Sequence, residues 1–543
     1  MNLPTAILPA PRTARWALLA VPLAFLAVVF VWPTATLLGR GLSGSGEAVL
    51  WSARTWRAVG TTVGLASAGT VLAVALGVPL AWALFRVTWR GQAAVRAVVS
   101  IPFVLPTVVV AVAFSALLRP SGLLGALGAD HSLAAIVVAL AFFNVSVVMR
   151  VVGGTWAGLD ARSAIAARTL GASPRRAFLR VTLPSLTPAI AAAASLVFLF
   201  CASSFAIVLV LGGTRVNSVE TELWIQVNQF LDLKAASTLA LLQIAVVALA
   251  LGAAEWARSR RDRVASGVVA DGARPASRGD ALGIAAALAG PALLIGLPVA
   301  GLVERSLRTG DGWGFDHYAA LLRQPPRSVL PVPLWQAAVN SLQAATIAAA
   351  IAMAAGLALS YALARSRRGR WVGALAMLPL GVSSVIVGLG VLLTLARPLP
   401  GGLGVPSPVI LIGVAQAVIA FPLVVRSLVP ALTSIQPEIR ASAAVLGASP
   451  WRLWRSVEWP LVRRPVGLAL GLAFAVSLGE FGATSFLARP DHPTLPTAIF
   501  RYLGRPGLDN VGTAFAASVF LAAMTGAIMM MAERLRTGRE GEI

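Results

Sequence analysis

The chain alternates long apolar runs with shorter gaps rich in arginine. A helix that crosses a bilayer needs about 20 apolar residues, at roughly 1.5 Å of rise each across about 30 Å of hydrocarbon. Twelve runs meet that length: 16–38, 59–85, 95–118, 132–152, 187–211 and 236–256, then 282–303, 337–364, 371–395, 407–428, 463–487 and 511–532. The runs at 95–118 and 371–395 carry Pro102, Pro106 and Pro379. Proline inside a span is tolerated where neighbouring groups re-satisfy the backbone. The first run follows Arg12 and Arg15, as a secretory leader would. It is long for such a leader and no small-residue cleavage site follows, so a retained signal-anchor helix is expected.

The gaps set an orientation. With the N-terminus inside, the inner gaps hold 30 of the 44 basic residues and the outer gaps hold 14. Cytoplasmic loops carry the excess of positive charge, so both termini are expected in the cytoplasm of a multi-pass inner-membrane protein.

The chain also repeats itself. Leu170-Gly171-Ala172-Ser173-Pro174-Arg175-Arg176, continuing to Val181-Thr182-Leu183-Pro184, recurs 276 residues later. The second copy is Leu446-Gly447-Ala448-Ser449-Pro450-Trp451-Arg452, continuing to Val457-Glu458-Trp459-Pro460, with eight of fifteen positions identical. A weaker echo pairs Leu80-Ala81-Trp82-Ala83-Leu84-Phe85-Arg86 with Leu359-Ser360-Tyr361-Ala362-Leu363-Ala364-Arg365. Each strong copy lies between the fourth and fifth run of its half. Six runs per half is an even number, so both halves enter the membrane in the same direction. The expected fold is an all-α membrane protein of about twelve spans in two parallel six-helix repeats, 1–257 and 282–543. They are joined by a cytoplasmic linker, 258–281, rich in Arg, Gly, Ser and Ala.

Composition narrows the function. Hydrophobic residues make up 58% of the 543 and charged residues only 12%, which excludes a soluble enzyme and a disordered chain. The net charge of +23 would suit nucleic acid, but the arginines lie in the gaps between spans, so no nucleic acid is expected. Cys201 is the one cysteine, and His131, His317 and His492 lie far apart. No disulfide framework or metal site is therefore expected. No Gly-x-x-x-x-Gly-Lys-Ser/Thr loop occurs and no catalytic constellation stands out, so neither ATP hydrolysis nor other catalysis, nor any cofactor, is assigned to this chain.

The repeated loop has readable chemistry. Residues 164–169 favour helix, and Gly171 can adopt the left-handed conformation that ends one. Ser173 can cap the next helix with Pro174 at its first position. Pro184 is then expected to close the segment before the fifth span. Arg162, Arg168, Arg175, Arg176 and Arg180 make the first copy basic; Arg440, Arg452, Arg455, Arg463 and Arg464 do so in the second. Positive-inside bias explains the arginines but not the same turn at the same place in both halves.

The spacing Ile165-Ala166-Ala167, Gly171, Val181, Leu183-Pro184 resembles the "EAA" loop of ABC-importer permeases. The second copy runs Ala441-Ser442-Ala443, Gly447, Val457, Trp459-Pro460. Both lack the glutamate, with Ile165 and Ala441 in its place, and Trp459 replaces leucine. The resemblance implies that the short helix after the glycine docks on a separate ATP-hydrolysing subunit, two copies in all. The residues so implicated are Ala167, Gly171, Ala172, Ser173, Pro174, Arg175, Arg176 and Pro184, with Ala443, Gly447, Ala448, Ser449, Pro450, Arg452 and Pro460. Ser477-Leu478-Gly479-Glu480-Phe481-Gly482-Ala483-Thr484 and Thr494-Leu495-Pro496-Thr497 are similar to the molybdate, sulfate, ferric-iron and thiamine branch. Two halves in one chain resemble its ferric-iron and thiamine permeases, as do Ser203-Ser204-Phe205 and the stretch from Glu220 to Gln226. That resemblance implies thiamine or ferric iron as substrate, delivered by an extracytoplasmic binding protein.

Glu480 is the one acidic residue placed deep in a run, and with Phe481 and the pseudo-equivalent Ser203 and Ser204 it is a candidate for the translocation path. A charge there costs about 2.5–3.5 kcal/mol on insertion scales. Two readings stay open: a pore or gate position, or a hydrogen-bonded anchor between helices. Segments 212–235 and 488–510 are expected to carry short helices at the outer mouth, either meeting the binding protein or simply anchored in the interface by aromatics. The competing functions are a twelve-span ion-coupled carrier, which needs more ionisable residues within spans, and a membrane enzyme, which needs a catalytic cluster.

Overall fold

The computed structural model describes residues 12–42, 47–160, 162–259, 274–310, 312–323, 329–365, 370–396 and 407–537. Most of the 258–281 linker therefore lies outside the described residues, as do Pro325 and Pro326 of a proline-rich outer segment that also holds Pro331 and Pro333 and is expected from the sequence to be a stiff surface connector. Among those described, ten helices are long and apolar enough to cross a membrane. Two further helix pairs qualify jointly but are sharply bent, so the expected twelve holds if each bent pair is one span.

In chain order the helices are α1 (Leu18–Leu42), α2 (Ala53–Arg86), the bent pair α3 (Gln92–Phe103) and α4 (Thr107–Leu118), and α5 (Leu133–Ala157). Then come α6 (Arg162–Thr169), α7 (Pro174–Ala202), α8 (Phe205–Gly212), α9 (Val219–Asn228), α10 (Leu233–Ala250) and α11 (Arg278–Leu307). The second set is α12 (Leu334–Leu363), the bent pair α13 (Trp371–Gly381) and α14 (Ser384–Thr394), and α15 (Pro408–Thr433). It ends with α16 (Pro437–Val445), α17 (Pro450–Leu478), α18 (Thr484–Leu487), α19 (Leu495–Leu503) and α20 (Leu508–Glu533).

The prolines explain the bends. Pro106 caps α4 and Pro379 sits in the last turn of α13, where each removes a backbone donor and disfavours helical geometry before it. The paired helices meet at 99° and 95°, so 95–118 and 371–395 are not straight spans.

The chain forms two compact units, Gly41–His317 and Met1–Arg40 with Tyr318–Ile543. In the first, α2 packs on α5 and α7, and α11 lies along α4 and α2. In the second, α12 packs on α15 and α17, and α1 lies along α12. The first helix of each sequence half thus packs within the unit built mainly from the other half. Leu26, Val29 and Phe30 of α1 join the core formed by α12, α15 and α17, where Phe25 meets Phe421 at 6.1 Å. Val87–Thr88, after α2, pairs in parallel with Arg274–Pro275, so the end of the linker is fastened to the first unit.

The two helix pairs approach through matched glycines. A Cβ at Gly77 of α2 would lie 2.6 Å from Val148 Cβ of α5, and one at Gly356 of α12 would lie 2.6 Å from Val424 Cγ1 of α15. Small residues at such crossings let helix backbones pack closely in lipid. Gly77→Ala and Gly356→Ala should each destabilise the protein by about 1–3 kcal/mol, the usual cost of overpacking. Gly64→Ala, where nothing lies within 4 Å, should be neutral. Thermal unfolding in detergent checks this ranking; equal midpoints for all three variants would contradict it.

Candidate functional site

The repeated loops fold alike. α6 ends at Gly171, with φ of 88°, and α16 ends at Gly447, with φ of 77°. Ala172 N–H donates to Ala167 carbonyl and Ala448 N–H to Ala443 carbonyl, each at 3.0 Å. These bonds close the helix end with the left-handed residue in the middle, as expected for a glycine stop. Ser173 Oγ then accepts from Arg176 N–H and Ser449 Oγ from Arg452 N–H, both at 3.3 Å, with Pro174 and Pro450 at the first helical position.

Beyond that point the expectation needs correction. Pro184 does not close the segment before the fifth span. The short helix passes through a π-helical turn, Phe178–Thr182, into one continuous helix, Pro174–Ala202. Pro460 behaves likewise within Pro450–Leu478, after a π turn at Trp454–Glu458. Each proline sits in the first turn after its π turn, so the helix continues through it. The tip of each loop is therefore joined to its membrane helix by unbroken helix.

Both tips expose apolar side chains. Leu170 is 88% exposed, Val445 88%, Leu446 85% and Trp451 69%. Leu170 and Leu446 occupy the same repeat position, and Arg175, Arg176 and Arg452 of the same loops are also exposed. Grouped apolar exposure of this kind is a feature of contact surfaces.

α7 and α17 break at matched places. α7 ends at Ala202; Ser203 Oγ donates to Leu199 carbonyl at 2.7 Å, and Ser204 precedes α8. α17 ends at Leu478, and Glu480 lies in the following turn, 8% exposed. Glu480 Oε1 accepts from Ala483 N–H at 2.8 Å and Oε2 from Thr484 N–H at 3.1 Å. The carboxylate thus satisfies the first amides of α18. Gly482 lies against both Glu480 and Ser384, at the start of α14. This geometry suits the anchor reading, while buried Phe481 faces Phe500 of α19 at 5.4 Å.

The short helices α9 and α19 form within the two segments where they were expected. Leu223, Val227, Leu495 and Ile499 are buried. Their first turns are held identically: Val219 N–H donates to Thr62 Oγ1 at 3.0 Å, and Leu495 N–H to Ser341 Oγ at 2.7 Å. Capping boxes, Ser218 with Thr221 and Thr494 with Thr497, sit at the same repeat positions.

Sequence reasoning missed three buried carboxylates. Glu222 accepts from Arg54 at 2.8 Å and Gln226 at 2.9 Å. Glu220 is fully buried and accepts from Gln243, whose amide also donates to Ala202 carbonyl at the break. Glu458 is fully buried between Arg365 and Arg440. Its signal was visible as a charge where the first repeat has Thr182.

The Glu480 geometry gives a test. Glu480→Ala leaves two amides without their acceptor, at about 1–3 kcal/mol each, and Glu480→Gln leaves one. Thermal unfolding in detergent should therefore rank wild type above Gln and Gln above Ala. An Ala variant as stable as wild type would contradict the anchor.

A family model described as "binding-protein-dependent transport system inner membrane component" matches residues 73–260. The thiamine transport system permease protein of Brucella abortus (strain 2308) is 26% identical over 552 residues, covering 95% of each chain. A putative 2-aminoethylphosphonate transport system permease protein of Salmonella typhimurium is 31% identical over 203 residues, covering 37% of this chain and 74% of that one. Among solved structures, a bacterial ABC transporter involved in the import of the acidic polysaccharide alginate aligns with a TM-score of 0.39 at 17% identity, over 47% of this chain and 98% of that one. With its paired loops and its similarity along nearly the whole length of a two-repeat permease, this chain belongs to the inner-membrane components of binding-protein-dependent transport systems.

Proposed function

We propose that this ABC-importer permease carries both halves of its translocation pathway, repeats 1–257 and 282–543, in one chain and imports thiamine. Two separate ATP-hydrolysing subunits dock on the two loops from the cytoplasm, where both termini also lie, and an extracytoplasmic binding protein delivers substrate on the opposite side. The observation that carries this reading is the pair of exposed apolar loop tips at Leu170 and at Val445, Leu446 and Trp451, each joined to a membrane helix by continuous helix. An ion-coupled carrier has no use for such a pair. Thiamine is chosen over ferric iron because the similarity to the Brucella permease covers 95% of both chains.

In proteoliposomes holding the chain, its ATP-hydrolysing subunits and its binding protein, thiamine uptake should depend on ATP, and a tenfold excess of ferric iron should leave it unchanged. Uptake of iron but not thiamine would contradict the substrate; uptake driven by an ion gradient without ATP would contradict the class. Gly171→Val/Gly447→Val should lower association of the ATP-hydrolysing subunits at least tenfold while the chain still inserts. Each valine is forced into a left-handed conformation that costs about 1–2 kcal/mol, or else moves the docking helix. Full association and uptake in that variant would contradict the role of the loops.

A further inference from the structure

The two loops share a backbone design but not the means by which they are held. Glu458 Oε1 accepts from Arg365 Nη2 at 2.6 Å and from Arg440 Nε at 2.8 Å. Arg440 lies on α16, the first helix of the second loop. Its remaining nitrogens donate to Leu432 carbonyl at 2.9 Å and Ile435 carbonyl at 3.2 Å, at the C-terminal end of α15. Arg365 follows the end of α12, and its guanidinium lies 3.5 Å from the centre of the Tyr361 ring. Tyr361 in turn meets Trp454 edge-on at 5.3 Å, and Trp454 meets Trp459 at 6.0 Å. One buried carboxylate therefore joins both arms of the second loop to the ends of α12 and α15.

The first loop carries neither the carboxylate nor the loop guanidinium of that cluster at the matching positions. The repeat position of Glu458 is Thr182 and that of Arg440 is Ala164, although Arg86 is retained at the position of Arg365. Among the described residues α6 buries none of its side chains, whereas α16 buries Arg440. Phe178, at the position of Trp454, stacks on Trp156 of α5 with ring centres 6.2 Å apart. An aromatic pair is worth only about 0.5–1.5 kcal/mol beyond its buried area. Charge-assisted hydrogen bonds are directional and strengthen out of water, and separating a buried pair leaves an uncompensated charge.

We infer that Glu458 is a positioning residue that makes the second loop a stiff lever on its unit, while the first loop is a compliant contact. Motion of a bound ATP-hydrolysing subunit then reaches α12, α15 and α17 directly through the second loop. The first adapts to whichever position its own subunit takes. Identical subunits would thus meet two mechanically different partners. The inference rests on the reading of the loops as docking elements.

The test compares the two loops in the full complex by hydrogen exchange and by transport per ATP hydrolysed. In wild type, amides of 437–453 should exchange at least tenfold more slowly than those of 162–177. Glu458→Gln/Arg440→Gln removes one charge of each sign and keeps the net charge of the cluster; Arg365, which loses its carboxylate, is partly exposed and lies over the Tyr361 ring. It should bring 437–453 to the rate of 162–177, retain the ATP-hydrolysing subunits, and lower substrate moved per ATP at least fivefold. A merely structural role would lower the yield of complex and leave that ratio unchanged. The reverse variant, Thr182→Glu/Ala164→Arg, supplies a carboxylate and a guanidinium at the matching positions and should slow exchange in 162–177, even if the first variant fails to fold. Equal exchange of the two loops in wild type, or an unchanged ratio in a variant whose second loop has loosened, would overturn the inference. A wild-type chain that binds no ATP-hydrolysing subunit would instead refute the docking role, and the exchange comparison would still decide how the loops are fastened.

Discussion

Backbone that leaves a helix within a bilayer must find its hydrogen bonds inside the protein, because hydrocarbon offers none. The architecture meets that constraint with side chains at several helix starts. Glu480 supplies the acceptors for the amides that open α18. Thr62 and Ser341 supply them for the first amides of α9 and α19. With these groups in place, α7 and α17 can stop within the membrane-spanning bundle without leaving bare peptide groups. The breaks recur at the same positions in both halves, although the side chains differ: serines in one, a glutamate in the other. Position in the repeat is kept, and the chemistry that satisfies it varies.

Much of this was legible in the sequence. Apolar runs separated by arginine-rich gaps located the spans, and the prolines at 102, 106 and 379 marked the two runs that bend. The Leu-Gly-Ala-Ser-Pro repeat located both loops and their left-handed glycines. What stayed hidden was which surfaces meet. Hydrophobicity reports that a segment avoids water but not which neighbour it touches, so nothing in the pattern showed that α1 lies along α12 and α11 along α4. Pro184 looked like a stop because proline disfavours helix behind it, yet it lies in a helix that continues from a π turn. Glu220 and Glu222 were visible only as part of an outer segment, and their partners, Gln243 and Arg54, lie on other helices. Arg440 was one arginine among many in a basic loop, and only the fold brings it to Glu458.

These particulars meet in one account. Paired loops with exposed apolar tips continue without interruption into α7 and α17, and those helices end where α8 and α18 begin. In the proposed function, a push on a tip is delivered along α7 or α17 to the break at its end.

The account requires both loops to face the same side of the membrane, the cytoplasm. Sidedness of single cysteines measures this directly. In a Cys201→Ser background, Ser173→Cys and Ser449→Cys should each resist a membrane-impermeant thiol reagent in intact cells and react once the membrane is permeabilised. Labelling of either position from outside intact cells would contradict the parallel arrangement and the docking of a cytoplasmic partner on both loops.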